Sequence, residues 1–252
     1  MKTIIICIGL LLALCINTNA TTWFTANHTC PLCKNENTYR DIGSYGGYIY
    51  SWPSKFQYVY WPLTDFPSVY CCHDCHFSCY MWDFDSIPEN KADSLKAYLT
   101  TTDLGGEYDD YLDIPMTKRL EIAEGVYRIL GRDTEFWSQF YRIMGYHYDH
   151  LKEPDKAYSS RIKALELAQT MLTDTAYDGH EKEILYIIAA MYFYTGKSDS
   201  TMVYLDQART CTYRDKKMSE EKQKGLNDYL IGLISQYPEF MKKPDEYDMY
   251  KR

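Results

Sequence analysis

From Leu120 onward, apolar residues recur at spacings of three and four, the period of a helix that buries one face. Leu120, Ala123, Tyr127 and Leu130 share the first such face, opened by Pro115 and stopped at Gly131. Asp133 or Thr134 can cap the next helix, whose stripe is Phe136, Phe140, Ile143, Met144 and His147. Pro154 opens a third, carrying Ala157, Arg161, Ala164, Leu165 and Ala168. A polar connection at 173–180 leads to two more helices, over about 181–195 and 199–211, parted by Gly196. Ser219 before Glu220 and Glu221 starts a last helix, with acids at the positive end of its dipole.

Upstream the period changes. Tyr48-Ile49-Tyr50 and Phe56-Gln57-Tyr58-Val59-Tyr60 alternate as strands do, between Gly46-Gly47 and prolines 53, 62 and 67. Ser86-Ile87-Pro88-Glu89 fits a capping box and predicts a short helix ending near Leu99, followed by a loop from Thr100 to Tyr111. The fold class this predicts is α+β: a small β unit, then an all-α array. The expected division is a signal peptide over 1–20, a zinc-ribbon-like unit over 21–85 and a connecting helix and loop over 86–114. A helical domain over 115–236 and a flexible tail over 237–252 complete it.

The helices repeat. Tyr141, Gly145, Tyr148, Ala157 and Ala164 keep the same spacing as Leu185, Ala189, Tyr192, Thr201 and Ala208, the two sets beginning 44 residues apart. Small residues at these places let antiparallel helices approach closely. The pattern resembles the tetratricopeptide repeat, with Thr201 where alanine is usual and an insertion expected in the 173–180 region.

Composition adds a compartment. Met1-Lys2, the uncharged run Ile4 to Ile16 and Asn17-Thr18-Asn19-Ala20 have the layout of a cleavable secretory leader, so export is expected. A lipid anchor at Cys15 is disfavoured by Leu14 before it. No later run is long enough to span a membrane. The net charge of −8, without a basic block, argues against nucleic acid.

Cys30-Pro31-Leu32-Cys33 and Cys72-His73-Asp74-Cys75 are two C-x2-C pairs, and four thiolates on two short turns suit a tetrahedral Zn2+. Cys30, Cys33, Cys72 and Cys75 are therefore the expected metal ligands, with the strands between the pairs bringing the turns together. Lys34 and His76 stand where such turns often carry glycine, which implies strain. Cys71, Cys79, His28, His73 and His76 are competing donors, and export leaves structural disulfides open. A thiol–disulfide oxidoreductase using Cys30 and Cys33 is the enzymatic alternative, though no helix that would activate Cys30 follows it.

These halves together are similar to DUF2225, a bacterial family of unknown function. The likeness lies in Cys30-Pro31-Leu32-Cys33, Arg40-Asp41, the Val69 to Cys75 run, Leu130-Gly131-Arg132-Asp133 and Gly145-Tyr146-His147-Tyr148. The resemblance implies a metal-binding ribbon with a repeat scaffold and no agreed activity.

Other chemistry is sparse. His147 and His150 share a helix face and could hold a metal, but no protease glutamate accompanies them and His147 sits on the apolar stripe. There is no nucleophile elbow, phosphate loop or dinucleotide motif. Cys211 reads as a packing thiol. Trp52 and Trp61 either form a platform for a peptide or glycan or dock the thin sheet onto the helices, and the second is favoured. The function expected is a non-enzymatic zinc-binding scaffold that offers a helical groove to a protein or peptide partner.

Overall fold

The computed structural model describes residues 22–174, 177, 180–214 and 218–247; the leader and Cys15 lie outside them. Two antiparallel hairpins come first. Strand β1 (Thr22–Thr29) pairs with β2 (Glu36–Ser44), and β3 (Val69–Cys71) pairs with β4 (Ser78–Tyr80). Seven helices follow: α1 (Ala92–Leu99), α2 (Met116–Leu130), α3 (Thr134–His150), α4 (Pro154–Thr173), α5 (Glu181–Tyr194), α6 (Ser198–Thr210) and α7 (Glu220–Lys242).

The two strands expected from aromatic alternation do not form. Gly47–Ser51 and Pro53–Gln57 are single 3-10 turns instead. Pro53, Pro62 and Pro67 lack the N–H groups a ladder needs, so local alternation has no partner strand to act on. The strands that do form flank the cysteine pairs rather than join them. In β2, Asn37 and Tyr39 point inward while Glu36, Thr38 and Arg40 face out, a half-buried alternation carried mostly by polar residues. The capping box at Ser86 does not form either, since α1 starts only at Ala92, after a 3-10 turn at Glu89–Lys91.

The helix boundaries follow the sequence signals closely. Pro115 caps α2, Gly131 (φ 80°) ends it, and the Asp133 carboxylate accepts the Phe136 N–H at 2.8 Å to start α3. The two hairpins α3–α4 and α5–α6 share one turn. The Glu153 N–H bonds to the Tyr148 carbonyl at 2.9 Å with Lys152 left-handed (φ 61°). Forty-four positions on, the Lys197 N–H bonds to the Tyr192 carbonyl at 2.8 Å with Gly196 left-handed (φ 79°). Gly145 lets α3 and α4 pack closely: a methyl group there would lie 2.9 Å from Arg161 Cγ. Some of the extra length between repeats lies in α4 itself, which has 20 residues against 13 in α6.

The tail expected from 237 is corrected. Tyr237 and Phe240 are buried, Phe240 stacks on Phe56 with ring centres 4.1 Å apart, and α7 runs through Pro238 to Lys242. That packing outweighs the cost of about 3 kcal/mol for an interior proline.

Between the β-hairpins, residues 50–68 form no sheet or long helix; N–H groups within the stretch meet the carbonyls of Trp52, Ser54, Lys55, Tyr60, Pro62 and Asp65, and others need partners from elsewhere. The helices supply them. Tyr229, Tyr186 and Tyr237 donate hydroxyls to the carbonyls of Tyr50, Lys55 and Phe56. Arg142 Nη1 bonds the Tyr58 carbonyl at 2.7 Å, and His147 Nε2 meets that of Leu63 at 2.8 Å. Arg119 Nη1 holds those of Phe66 and Val69 at 2.7 and 2.6 Å. The 3-10 turn at Pro53–Gln57 thus lies on the alternate helices α3, α5 and α7, the face expected to serve as a groove. Buried residues from Cys30 to Phe240 form one continuous cluster.

Tyr237→Phe keeps the ring but strands the Phe56 carbonyl, and should cost about 1–3 kcal/mol in denaturant-induced unfolding. An unchanged midpoint would mean that this carbonyl has another partner.

Candidate metal centre

Each C-x2-C pair occupies the six-residue loop of a hairpin. Thr29 pairs with Glu36 across residues 30–35, and Cys71 pairs with Ser78 across residues 72–77. The loops repeat each other bond for bond. In the first, the Lys34 N–H bonds to the Cys30 carbonyl at 3.0 Å and the Cys30 N–H to the Asn35 carbonyl at 2.8 Å. In the second, His76 bonds to Cys72 at 2.9 Å and Cys72 to Phe77 at 3.0 Å. The turn requires a left-handed residue after the second cysteine, and Lys34 (φ 70°) and His76 (φ 61°) take that conformation without being glycine.

The two loops face one another. The sulfur atoms of Cys30, Cys33, Cys72 and Cys75 lie within 4.8 Å of each other, and among the described residues they are the one group of three or more such donors. Cys30 Sγ is 3.6 Å from Cys75 Sγ, and Cys33 Sγ is 3.6 Å from Cys72 Sγ. A tetrahedron with metal–sulfur bonds of about 2.3 Å has edges of about 3.8 Å, whereas a disulfide brings its sulfurs to about 2.05 Å. The spacing therefore fits four thiolates around one ion, and all seven described cysteines are free thiols.

The surroundings favour thiolate. Backbone N–H groups of Leu32 and Cys33 point at Cys30 Sγ, and that of Phe77 at Cys75 Sγ. Hydrogen bonds from the Cys72 and Cys75 thiols pull Cys30 down to about 4, while the same contacts, with Cys30 and Cys72, push Cys75 up. Cys30 and Cys75 are thus pushed in opposite directions by the sulfurs beside them. Asn37 ties the centre together from β2: its Oδ1 accepts the His73 N–H at 2.9 Å and its Nδ2 donates to Cys72 Sγ at 3.5 Å.

The competing donors are engaged elsewhere. Burial pushes Cys71 up to about 11 and raises Cys79 further above its usual range, so both are packing thiols. His28 Nε2 sits 3.1 Å from the Asp41 carboxylate, which also accepts the Tyr70 hydroxyl. His73 is exposed, and His76 serves the turn. Burial lowers His147 to about 3 and its Nε2 meets the Leu63 carbonyl; among the described residues neither it nor His150 belongs to a group of three or more metal donors. Trp61 is buried and donates to Asp65 at 2.9 Å, which fits docking rather than a platform. Asn37 escaped the sequence reading; its place two residues into a strand that leaves a cysteine loop was the available signal.

The fold and this centre define a protein of two cysteine knuckles on β-hairpins, packed against an array of helical hairpins. Residues 23–117 match the family model DUF2225, an uncharacterized protein conserved in bacteria. The match contains both knuckles and Arg40-Asp41 but ends inside α2, so the likeness at Leu130 to Asp133 and Gly145 to Tyr148 lies beyond it. No curated protein and no solved structure gives a match to the chain.

Two substitutions probe the centre. Asn37→Ala should weaken metal binding by about 10–100-fold in competition with a chelator, as loss of a partner that orients a ligand does. His76→Gly should raise stability by up to about 1 kcal/mol by relieving the left-handed turn, measured on the metal-loaded chain.

Proposed function

We propose that this protein is an exported, non-enzymatic scaffold in which one structural Zn2+ on Cys30, Cys33, Cys72 and Cys75 locks the two hairpins together. The observation that carries the reading is the four-sulfur cluster itself: an all-thiolate, four-coordinate set is the donor chemistry of structural zinc and leaves no open position for substrate. The ion supplies folding free energy to a β unit with few aliphatic residues. The leader in the sequence supports export. Among the described residues no helix is long and apolar enough to cross a membrane.

The partner reading changes in one respect. A peptide laid on α3, α5 and α7 would have to displace residues 50–69, whose carbonyls already occupy the donors of those helices. We therefore assign contact with a protein partner to the surface outside that face. The oxidoreductase reading draws on the lowered Cys30, yet that residue is wholly buried just after β1, and its thiolate is favoured by the Cys72 and Cys75 thiols and the N–H groups of its own loop rather than by a helix N-terminus.

Elemental analysis of the purified chain should find one zinc per molecule, with four thiols becoming reactive on chelation. Acidification should release the ion, because protons compete with it for thiolate. Since one buried cluster spans both halves, chelation should lower the thermal midpoint of the helical signal in a single transition. A metal-free chain that cycles reversibly between Cys30–Cys33 dithiol and disulfide would replace this reading with the enzymatic one.

A further inference from the structure

The four ligands are not equivalent toward solvent. Cys30 and Cys72 are wholly buried, whereas Cys33 and Cys75, the second cysteine of each knuckle, are partly exposed. Both exposed ligands line one open groove of about 500 Å³, walled by Leu32, His76, Lys96 and Leu99. A small molecule in this groove meets two sulfurs of the centre and not the other two. Each exposed sulfur has a buried sulfur of the opposite knuckle 3.6 Å away: Cys72 behind Cys33, and Cys30 behind Cys75. The arrangement places an accessible nucleophile next to a protected one, twice, about the same ion.

We propose that Cys33 and Cys75 are the oxidant-reactive positions of the centre, reached through this groove by a peroxide-class two-electron oxidant, and that oxidation joins the two knuckles by Cys33–Cys72 and Cys30–Cys75 disulfides and expels the metal. The inference rests on the metal reading above. In the first step the Cys33 thiolate attacks one peroxide oxygen, the O–O bond breaks, a sulfenic acid forms and hydroxide leaves. The Cys72 thiolate then attacks the sulfenic sulfur, the S–S bond forms and a second hydroxide leaves. Two sulfurs have given up two electrons, one peroxide has become two hydroxides, and two protons from solvent turn these into water. The ion has lost two of its four donors. Cys75 and Cys30 repeat the sequence with a second peroxide. The outcome differs from that of a C-x2-C oxidoreductase, whose product joins Cys30 to Cys33 within one loop.

Tryptic peptide mapping separates the two. No lysine or arginine lies between Cys30 and Cys33, while Lys34, Arg40 and Lys55 lie between the knuckles. Metal content is measured first, and the full chain is then titrated with hydrogen peroxide while metal release is followed with a chromogenic chelator. The expected product is a disulfide joining the peptide that ends at Lys34 to the one that ends at Lys91, with release in step with its appearance. Thr100→Trp, at an exposed position on the groove rim, should slow release severalfold while leaving metal content unchanged. Absence of metal in the purified chain would remove the metal reading, and the peptide map, read on that chain too, would still decide whether oxidation joins the two knuckles or closes each loop on itself. Metal bound, but with Cys30–Cys33 as the product or with Thr100→Trp released at the unaltered rate, would overturn this inference alone.

Discussion

The carbonyl groups of residues 50–69 set the terms for the whole molecule. A stretch of irregular backbone enclosed by protein must find a donor for each buried carbonyl, and each failure costs on the order of 1–3 kcal/mol. Backbone N–H groups within the stretch meet some of them, and the rest draw on side chains of helices that come much later in the sequence, Arg119, Arg142, His147, Tyr186 and Tyr237. The need is mutual. Arg119 and Arg142 make their polar bonds to carbonyls, and burial lowers the affinity of both for a proton. Aromatic rings complete their surroundings, with Tyr111 and Tyr58 at 5.3 and 5.5 Å from the two guanidinium carbons. Neither the helices nor the segment can close its hydrogen-bond ledger without the other.

The metal centre stands on the same continuity. Tyr39 rises from β2 just beyond Asn37, stacks on Tyr70 of β3 at 4.1 Å between ring centres and meets Tyr111 edge-on. The Tyr80 N–H of β4 donates to the Tyr127 hydroxyl of α2 at 2.7 Å. Both strands of the second knuckle are thus tied to α2, β4 by this bond and β3 by Arg119, which holds the Val69 carbonyl. An ion held by the four sulfurs would fix the knuckles and with them the platform on which α2 rests, and through Arg119 the position of the segment that fills the helical face.

The sequence made the helices legible because their signals are local: a period, a proline or capping acid at the start, a left-handed residue at the stop. The four cysteines were legible for a similar reason, since each knuckle is a closed loop of six residues with its own hydrogen bonds. What escaped was non-local. Tyr48 to Tyr50 and Phe56 to Tyr60 alternate like strands, yet whether a ladder forms depends on a neighbour the sequence does not name. Strand β2 hides its pattern because Asn37 is inward-facing but polar, its side chain spent on the second knuckle 35 residues away. The end of α7 misled for the opposite reason. Pro238 signals a stop, but Phe56, from the other end of the chain, supplies the contact that carries the helix past it.

Recognition through carbonyls has a consequence for how the protein can change over time. Every amino acid presents the same main-chain oxygen, so exposed positions within residues 50–69 are free to drift in identity as long as the oxygens stay where the helices expect them. A residue gained or lost there would move every later oxygen out of register with a fixed row of donors. Across relatives, this stretch should hold its length and its buried residues and vary at its few exposed positions, Tyr50, Ser51 and Phe66, whereas a connecting loop ordinarily varies in length as well.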